Sequence, residues 1–388
     1  MLFSIIFELK KILRNYFLWG LFFLFVIIDG LFLLNMSFGI NDKYEGEQAV
    51  YEKISGTVTD EKCNFIIDNF NRLQGIIDSG DYSIKGNQEG TYTGYIIGDY
   101  DLFSDLYTEF NEIFEYSEYT KSICDKSKEN VLMLKETDLY EARKYSLIYN
   151  SYKDRRIESY YDDNVIQAYF SYDYSTLFMF LIMLVGLGSS LFLDNDNKMK
   201  GILGCVPYGR LKMIFTKIFA IIVYCVAIVG VFSAIDILII QCRYGFIDGW
   251  GMKLYSIGEY RDTPLNCTVL EFFVMWFLYR VIAMVLFALI TYIINYIFEK
   301  EIKTIVYSIG VYIIAIIACI NTKVWINPVA MFNLQELIKS CTIRGVAGMP
   351  FFYHEIVMAG GIVSIVFLII CCVILSVIEG KRGMVCKL

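Results

Sequence analysis

Six apolar runs constrain this chain more than any other feature. They cover roughly residues 17–38, 175–193, 213–240, 270–298, 305–320 and 356–377, each near the roughly 20 residues a helix needs to cross a bilayer. In hydrocarbon every backbone N–H and C=O must be satisfied within the segment, so isolated runs of this kind form helices. Hydrophobic residues make up 56% of the 388 and charged residues 19%, against about 45–50% and about 25% in soluble domains. The expected fold class is an all-α membrane protein with six transmembrane helices. The first run is too long for the apolar core of a signal peptide, and no small-residue cleavage site follows it.

Orientation follows from Lys and Arg near the span ends, because short basic connections stay in the cytoplasm. Lys10, Lys11 and Arg14 precede the first run, and Lys198, Lys200, Arg210, Lys212 and Lys217 lie around the connection of the second to the third. Lys300 and Lys303 lie between the fourth and fifth, and Lys381, Arg382 and Lys387 after the sixth. The expectation is a multi-pass protein of the plasma membrane with both termini cytoplasmic. The chain then divides into an N-terminal helix and first span (1–38), an extracellular domain (39–174) and a five-span bundle (175–388).

Residues 39–174 are polar, rich in Tyr and free of Pro. Leu102, Leu106, Phe110, Ile113 and Phe114 recur at three- and four-residue steps, the spacing of one helix face. The segment therefore reads as a mostly helical domain, its Tyr and Phe stripe forming the core. A turn-rich patch at 79–101 suits a short hairpin. The net charge of −7 arises mostly here, where acidic residues outnumber basic ones roughly two to one, so nucleic acid finds no basic footprint. An acidic surface of this kind is either plain solvation or an attraction for a cationic peptide or ion.

Most enzymatic chemistry lacks its residues. The sequence has one histidine, His354, and its 11 cysteines include no CxxC pair, which leaves no zinc ligand set. Gly94 and Gly98 in "GYIIGDY" lack the Lys-Ser/Thr of a phosphate loop. No metal or cofactor is expected on the chain. Among cysteines read as outward-facing, Cys63 with Cys124 and Cys242 with Cys267 are the candidate disulfides.

Three ionisable residues fall inside the apolar runs: Asp29, Asp236 and Arg280. Such residues are costly in lipid and face the bundle interior or one another. Asp29 and Asp236 count to the outward half. Arg280 lies about ten residues in from the outer end of the fourth run, roughly 15 Å deep, and its side chain is long enough to reach outward to either aspartate. The set is either an ion pair that fixes helix register or a polar contact on a transport path.

The connection "LFLDNDNKMKGILGCVPYGRLKMIFTK" (191–217) carries Ile202, Leu203 and Val206 on one face of a short helix, ended by Pro207 and Gly209. Asp194, Leu203, Pro207, Arg210 and Lys217 match, in order and spacing, an acid, a coupling helix, a proline, an arginine and a lysine. That pattern resembles the permease family of type-2 ABC transporters, exporters with the G-subfamily fold. The acid is Asp where that family usually has Glu, and Lys198 and Met199 replace its usual Gly-Thr pair. "FELKKILRNYFLW" (7–19) is similar to the family's amphipathic N-terminal helix, and "NPVAMFNLQELI" (327–338), with the segment up to Gly360, to its short outer re-entrant helices.

The resemblance covers the spans, about two-thirds of the chain, and leaves 39–174 unmatched. It implies a permease moving a hydrophobic, antimicrobial-peptide-like or lipid-like substrate outward, beside a second permease copy or paralogue in the lipid bilayer. ATP and Mg would sit on a separate ATPase subunit, docked on a coupling helix at about 194–209. The competing reading is a mechanotransmission or sensing subunit, in which an ATPase works the extracellular domain and no substrate crosses. A secondary transporter would show repeated halves and broken mid-membrane helices, and neither is visible in the sequence.

Overall fold

A computed structural model of the chain describes residues 2–36, 45–80, 91–196, 209–245, 248–298, 300–321 and 327–385. It is predominantly helical. Six helices are long and apolar enough to cross a membrane, and sheet is confined to two short antiparallel pairs among the described residues. The chain is a multi-pass membrane protein.

Helix α1 (Leu2–Leu13) is amphipathic, with Ile5 and Ile12 buried and Phe3 and Phe7 exposed. Asn15 caps the next helix, α2 (Tyr16–Asn35), by accepting from Phe17 N at 3.0 Å, and Trp19 Nε1 closes the junction on Leu13 O at 2.8 Å. The other long apolar helices are α8 (Tyr174–Asp196), α9 (Gly209–Tyr244), α10 (Val269–Phe298), α11 (Glu301–Asn321) and α14 (Tyr353–Val385). The central helix α10 packs against α8, α9, α11 and α14. Its apolar face, from Phe272 through Trp276 to Leu289, is buried. Outer faces such as Ile313, Ile314 and Ile317 on α11 and Val363, Phe367 and Ile370 on α14 stay exposed, as lipid contact requires.

Helices α2 and α9 run parallel. Phe22 meets Phe232, a Cβ on Gly30 would lie 3.3 Å from Ile239, and Tyr244 OH donates to Met36 O. In that register the 36-residue α9 extends roughly 24 Å past the start of α2, at 1.5 Å per residue. Helix α1 packs on α9 and α8.

Between the first two spans lie α3 (Glu45–Ile54), α4 (Asp60–Asp78), α5 (Ile96–Leu134), α6 (Leu139–Tyr152) and α7 (Asn164–Ser171), with β1 (Gly56–Thr57) paired to β2 (Ser159–Tyr160). Thr59 and Asp138 cap α4 and α6. Buried Asp99 takes the backbone N–H groups of Tyr92 and Thr93, fixing the turn through Gly94 into α5. Val50, Ile54, Ile66, Leu73, Phe103, Leu106 and Phe110 form a core separate from that of the bundle. Of the expected stripe, Leu106, Phe110 and Ile113 are buried, Leu102 is half-buried and Phe114 is exposed. The supposed hairpin falls largely on 81–90, outside the described residues, and from Ile96 onward its segment is helix.

Residues 327–338 form two short helices, α12 (Pro328–Phe332) and α13 (Leu334–Ile338). The segment beyond them departs from the expected helices. Strands β3 (Ile343–Val346) and β4 (Met349–Phe352) form a hairpin. Its two-residue turn has positive φ at both Ala347 and Gly348, the geometry that matches strand twist.

Three connections meet on one side of the bundle. From the first, Arg155 donates to Thr263 O at 2.8 Å and Leu265 O at 3.3 Å, and Tyr152 OH to Asp262 O at 2.8 Å. Tyr116 OH donates to Arg261 O at 3.1 Å, and Arg261 pairs with Glu112. The fifth connection, between the fifth and sixth spans, joins through Lys339 and Glu259, 3.1 Å apart, and through Gly345, where a Cβ would approach the Tyr140 ring to 3.1 Å. Contact between the first, third and fifth connections is what six successive crossings produce.

Candidate functional site

The buried polar residues of the bundle converge on one place. Asp29 of α2, Asp236 of α9 and Arg280 of α10 are each at most 1% exposed. The turn between α7 and α8 supplies Tyr172, and the first turn of α8 supplies Ser175 and Thr176. The sequence builds the site locally. Gly30 beside Asp29 lets α9 close on α2, and Tyr172 OH donates to Asp29 Oδ1 at 2.5 Å. The Asp236 carboxyl lies against that of Asp29 and near Ser175, within the field of Arg280.

The arginine is held by neutral groups. Its Nη2 donates to Thr176 Oγ1 at 2.9 Å and to Ser175 Oγ at 3.1 Å, while the guanidinium lies 4.0 Å from the centre of the Trp276 ring. Trp276 Nε1 is oriented by Gln335 Oε1 at 3.3 Å, and Gln335 Nε2 by Asp173 Oδ2 at 3.1 Å. Tyr169 packs on Trp276 and donates weakly to Ser233 O. The structure thus brings the three sequence-derived residues together, but no direct ion pair joins Arg280 to either aspartate. Asp236 Oδ1 and Oδ2, Asp29 Oδ2, Arg280 Nε and Nη1, and Ser233 Oγ have no hydrogen-bond partner.

The remaining expected residues are scattered. Lys217 is buried in the first part of α9. Asp194 and Arg210 lie in the last turn of α8 and the first turn of α9, with side chains outside the description. Leu203, Pro207 and most of the 194–209 helix lie outside the described residues. All nine described cysteines are free thiols, Cys63, Cys124, Cys242 and Cys267 included, so neither expected disulfide is formed. For Cys63 with Cys124 the reason is the length of α5. The Cys63 core includes Phe103, whereas Cys124 faces Tyr149 of α6, about 30 Å further along the helix at 1.5 Å per residue.

His354 is buried and stacks on Phe352, and its backbone carbonyl accepts from Tyr279 OH. No group of three or more His, Cys, Asp or Glu that could hold a metal exists among the described residues. Ser175, Thr176, Tyr172 and Arg155 were missed in the sequence. The only signal for the first two was a pair of hydroxyls opening an apolar run.

The fold and this site define a class: a helical multi-pass membrane protein with an ionisable cluster sealed inside its bundle. Comparison with protein family models, with curated proteins and with solved structures finds no match for the chain.

Proposed function

We propose that the chain is the permease subunit of an ATP-driven ABC exporter of the plasma membrane. It moves a hydrophobic, peptide- or lipid-like substrate outward, with both termini and the 194–217 connection cytoplasmic and the 39–174 segment extracellular. ATP and Mg reside on a separate ATPase, and a second permease copy or paralogue completes the pathway. The observation that supports this most is the rod formed by α9. It is one uninterrupted helix from Gly209 to Tyr244, reaching well past α2 and braced there by α1 and α8. A force applied at residues 197–208 would travel along it to Asp236 without a hinge.

The test is co-purification of the native protein with an ATPase subunit, followed by ATP-dependent efflux from vesicles. Asp194→Ala and Arg210→Ala should insert normally but weaken ATPase binding or coupling. Normal binding and transport by both variants would remove the coupling role. One observation favours the second reading, a mechanotransmission subunit without translocated cargo. The 39–174 segment is fastened to the third connection by Arg155, Tyr116 and Tyr152, so movement of α9 and α10 would be passed to it. Nucleotide-dependent exposure changes in that segment, with no efflux of any tested substrate, would select it.

A further inference from the structure

We propose that Asp29 and Asp236 together bind one proton, shared between their carboxyl groups, and that this proton joins the first span to the third. The proposal does not depend on the permease reading.

Charge and geometry carry it. The two carboxyls face one another from parallel helices and are at most 1% exposed. Three of their four oxygens have no hydrogen-bond partner, the fourth being satisfied by Tyr172. Two like charges in contact away from water cannot both persist, and each unpaired buried oxygen carries a desolvation cost. One proton answers both problems. As an O–H on one carboxyl donating to the other, it turns two orphaned oxygens into a hydrogen bond. It also leaves a single negative charge, which the single positive charge of Arg280 balances across the site.

The surrounding groups fit this better than a metal ion. Arg280 faces the pair from α10, Tyr172 from the turn before α8 and Ser175 from its first turn, and Tyr169 and Ser233 lie next to Asp236. A cation at the pair would meet the guanidinium charge with only two carboxylates to hold it, and no third acidic, His or Cys ligand joins them among the described residues. Asp173, the other acid near Arg280, is half-buried and bonded to Gln335. Acids within membrane spans pair with one another and form proton relays in pumps and transporters. A site that gains or loses one proton would tighten or release α2 against α9.

The test is infrared spectroscopy of the full chain in lipid nanodiscs at neutral pH, read at the C=O stretch of protonated carboxyl groups and its shift in heavy water. Glu109→Gln protein serves as the parent, because the Glu109 carboxyl is pushed up to about 7 and would contribute at neutral pH, whereas Asp163, at about 6, is then mostly ionised. The parent should show the band, and Asp236→Asn and Asp29→Asn should each abolish it. Absence of the band from the parent overturns the proposal without any aspartate variant, as does a band that survives both substitutions. Thermal midpoints in sodium, potassium and choline chloride provide the second readout. A midpoint that is the same in all three supports the proton. A sodium- or potassium-specific rise that Asp236→Asn removes assigns the pair to a metal ion instead and overturns it.

Discussion

Arg155 and Thr263 stand 108 positions apart, yet the guanidinium Nη1 lies 2.8 Å from the threonine carbonyl oxygen. The same side chain takes the Leu265 carbonyl and lies 4.5 Å and 4.9 Å from the centres of the Tyr152 and Tyr255 rings. A buried charge held by carbonyls and ring faces is a directional fastener, because a guanidinium offers its donors in a fixed planar fork. It ties the polar helices after the first span to the connection between the third and fourth.

Arg155→Met should therefore loosen that connection while leaving the spans intact. Hydrogen bonds to a charged group are worth roughly 1.5–3 kcal/mol, and the stability loss should be of that order. Hydrogen exchange should rise across 254–268, with little change in α8–α10. Arg155→Lys should recover only part of the loss, since a point charge cannot serve two carbonyls in a fork. Unchanged exchange at 254–268 in Arg155→Met would show that the fastener is redundant.

Arg280→Met should destabilise the bundle more severely. It removes the only positive charge among the described residues at a site holding two aspartates, and breaking a buried charged set from one side costs about 3–5 kcal/mol. Asp236→Asn introduced beside it should return part of that loss, because it removes one buried carboxyl and its amide can donate to the orphaned Asp29 oxygen. The measurement is a thermal midpoint cycle over wild type, each single variant and the double. Strictly additive losses would mean that Arg280 and Asp236 do not sense each other.

How far these features could be read in advance depended on whether the physics was local. Run length alone specified the six spans, and an ionisable residue within such a run had to be buried, which located Asp29, Asp236 and Arg280. Their hydroxyl partners were not readable, since Ser175 and Thr176 opening an apolar helix look like any N-terminal turn. Arg155 was hidden among Lys153 and Arg156, and its burial comes from Tyr255 and Thr263, contributed about a hundred residues later. The cysteine pairing failed for the same reason. Order along the chain says nothing of the 39-residue helix that holds Cys63 and Cys124 apart. The β3–β4 hairpin was masked by flanking helices, although "VAGM" is compatible with a tight turn.

Gly186 of α8 marks a close approach to α9. A Cβ there would stand 2.1 Å from the Tyr224 hydroxyl, which donates to Ile182 O at 3.0 Å. Tyr224 is itself buried, so it has little room to withdraw. Gly186→Ala should cost roughly 1–3 kcal/mol, the usual range for overpacking. Tyr224→Leu in the same chain should recover much of it. A stable Gly186→Ala with an unchanged midpoint would show that the two helices separate freely.

Glu109 of α5 should make the polar helices pH-sensitive. Burial pushes its carboxyl up from the usual 4.5 to about 7; the nearby Asp163, Asp162 and Asp105 add to the rise, while the hydrogen bond from Tyr160 opposes it. Asp163 is raised in the same direction, to about 6, again chiefly by burial. A group that holds its proton more tightly folded than unfolded stabilises the fold at low pH. The contribution of Glu109 is complete below 4.5 and is lost as pH climbs through about 7. Glu109→Gln keeps an uncharged partner for Tyr160 and removes the titration. Its thermal midpoint should thus gain on that of the wild type as pH rises across this window. A difference between the two proteins that stays constant from acid to neutral pH would show that Glu109 is solvated rather than buried.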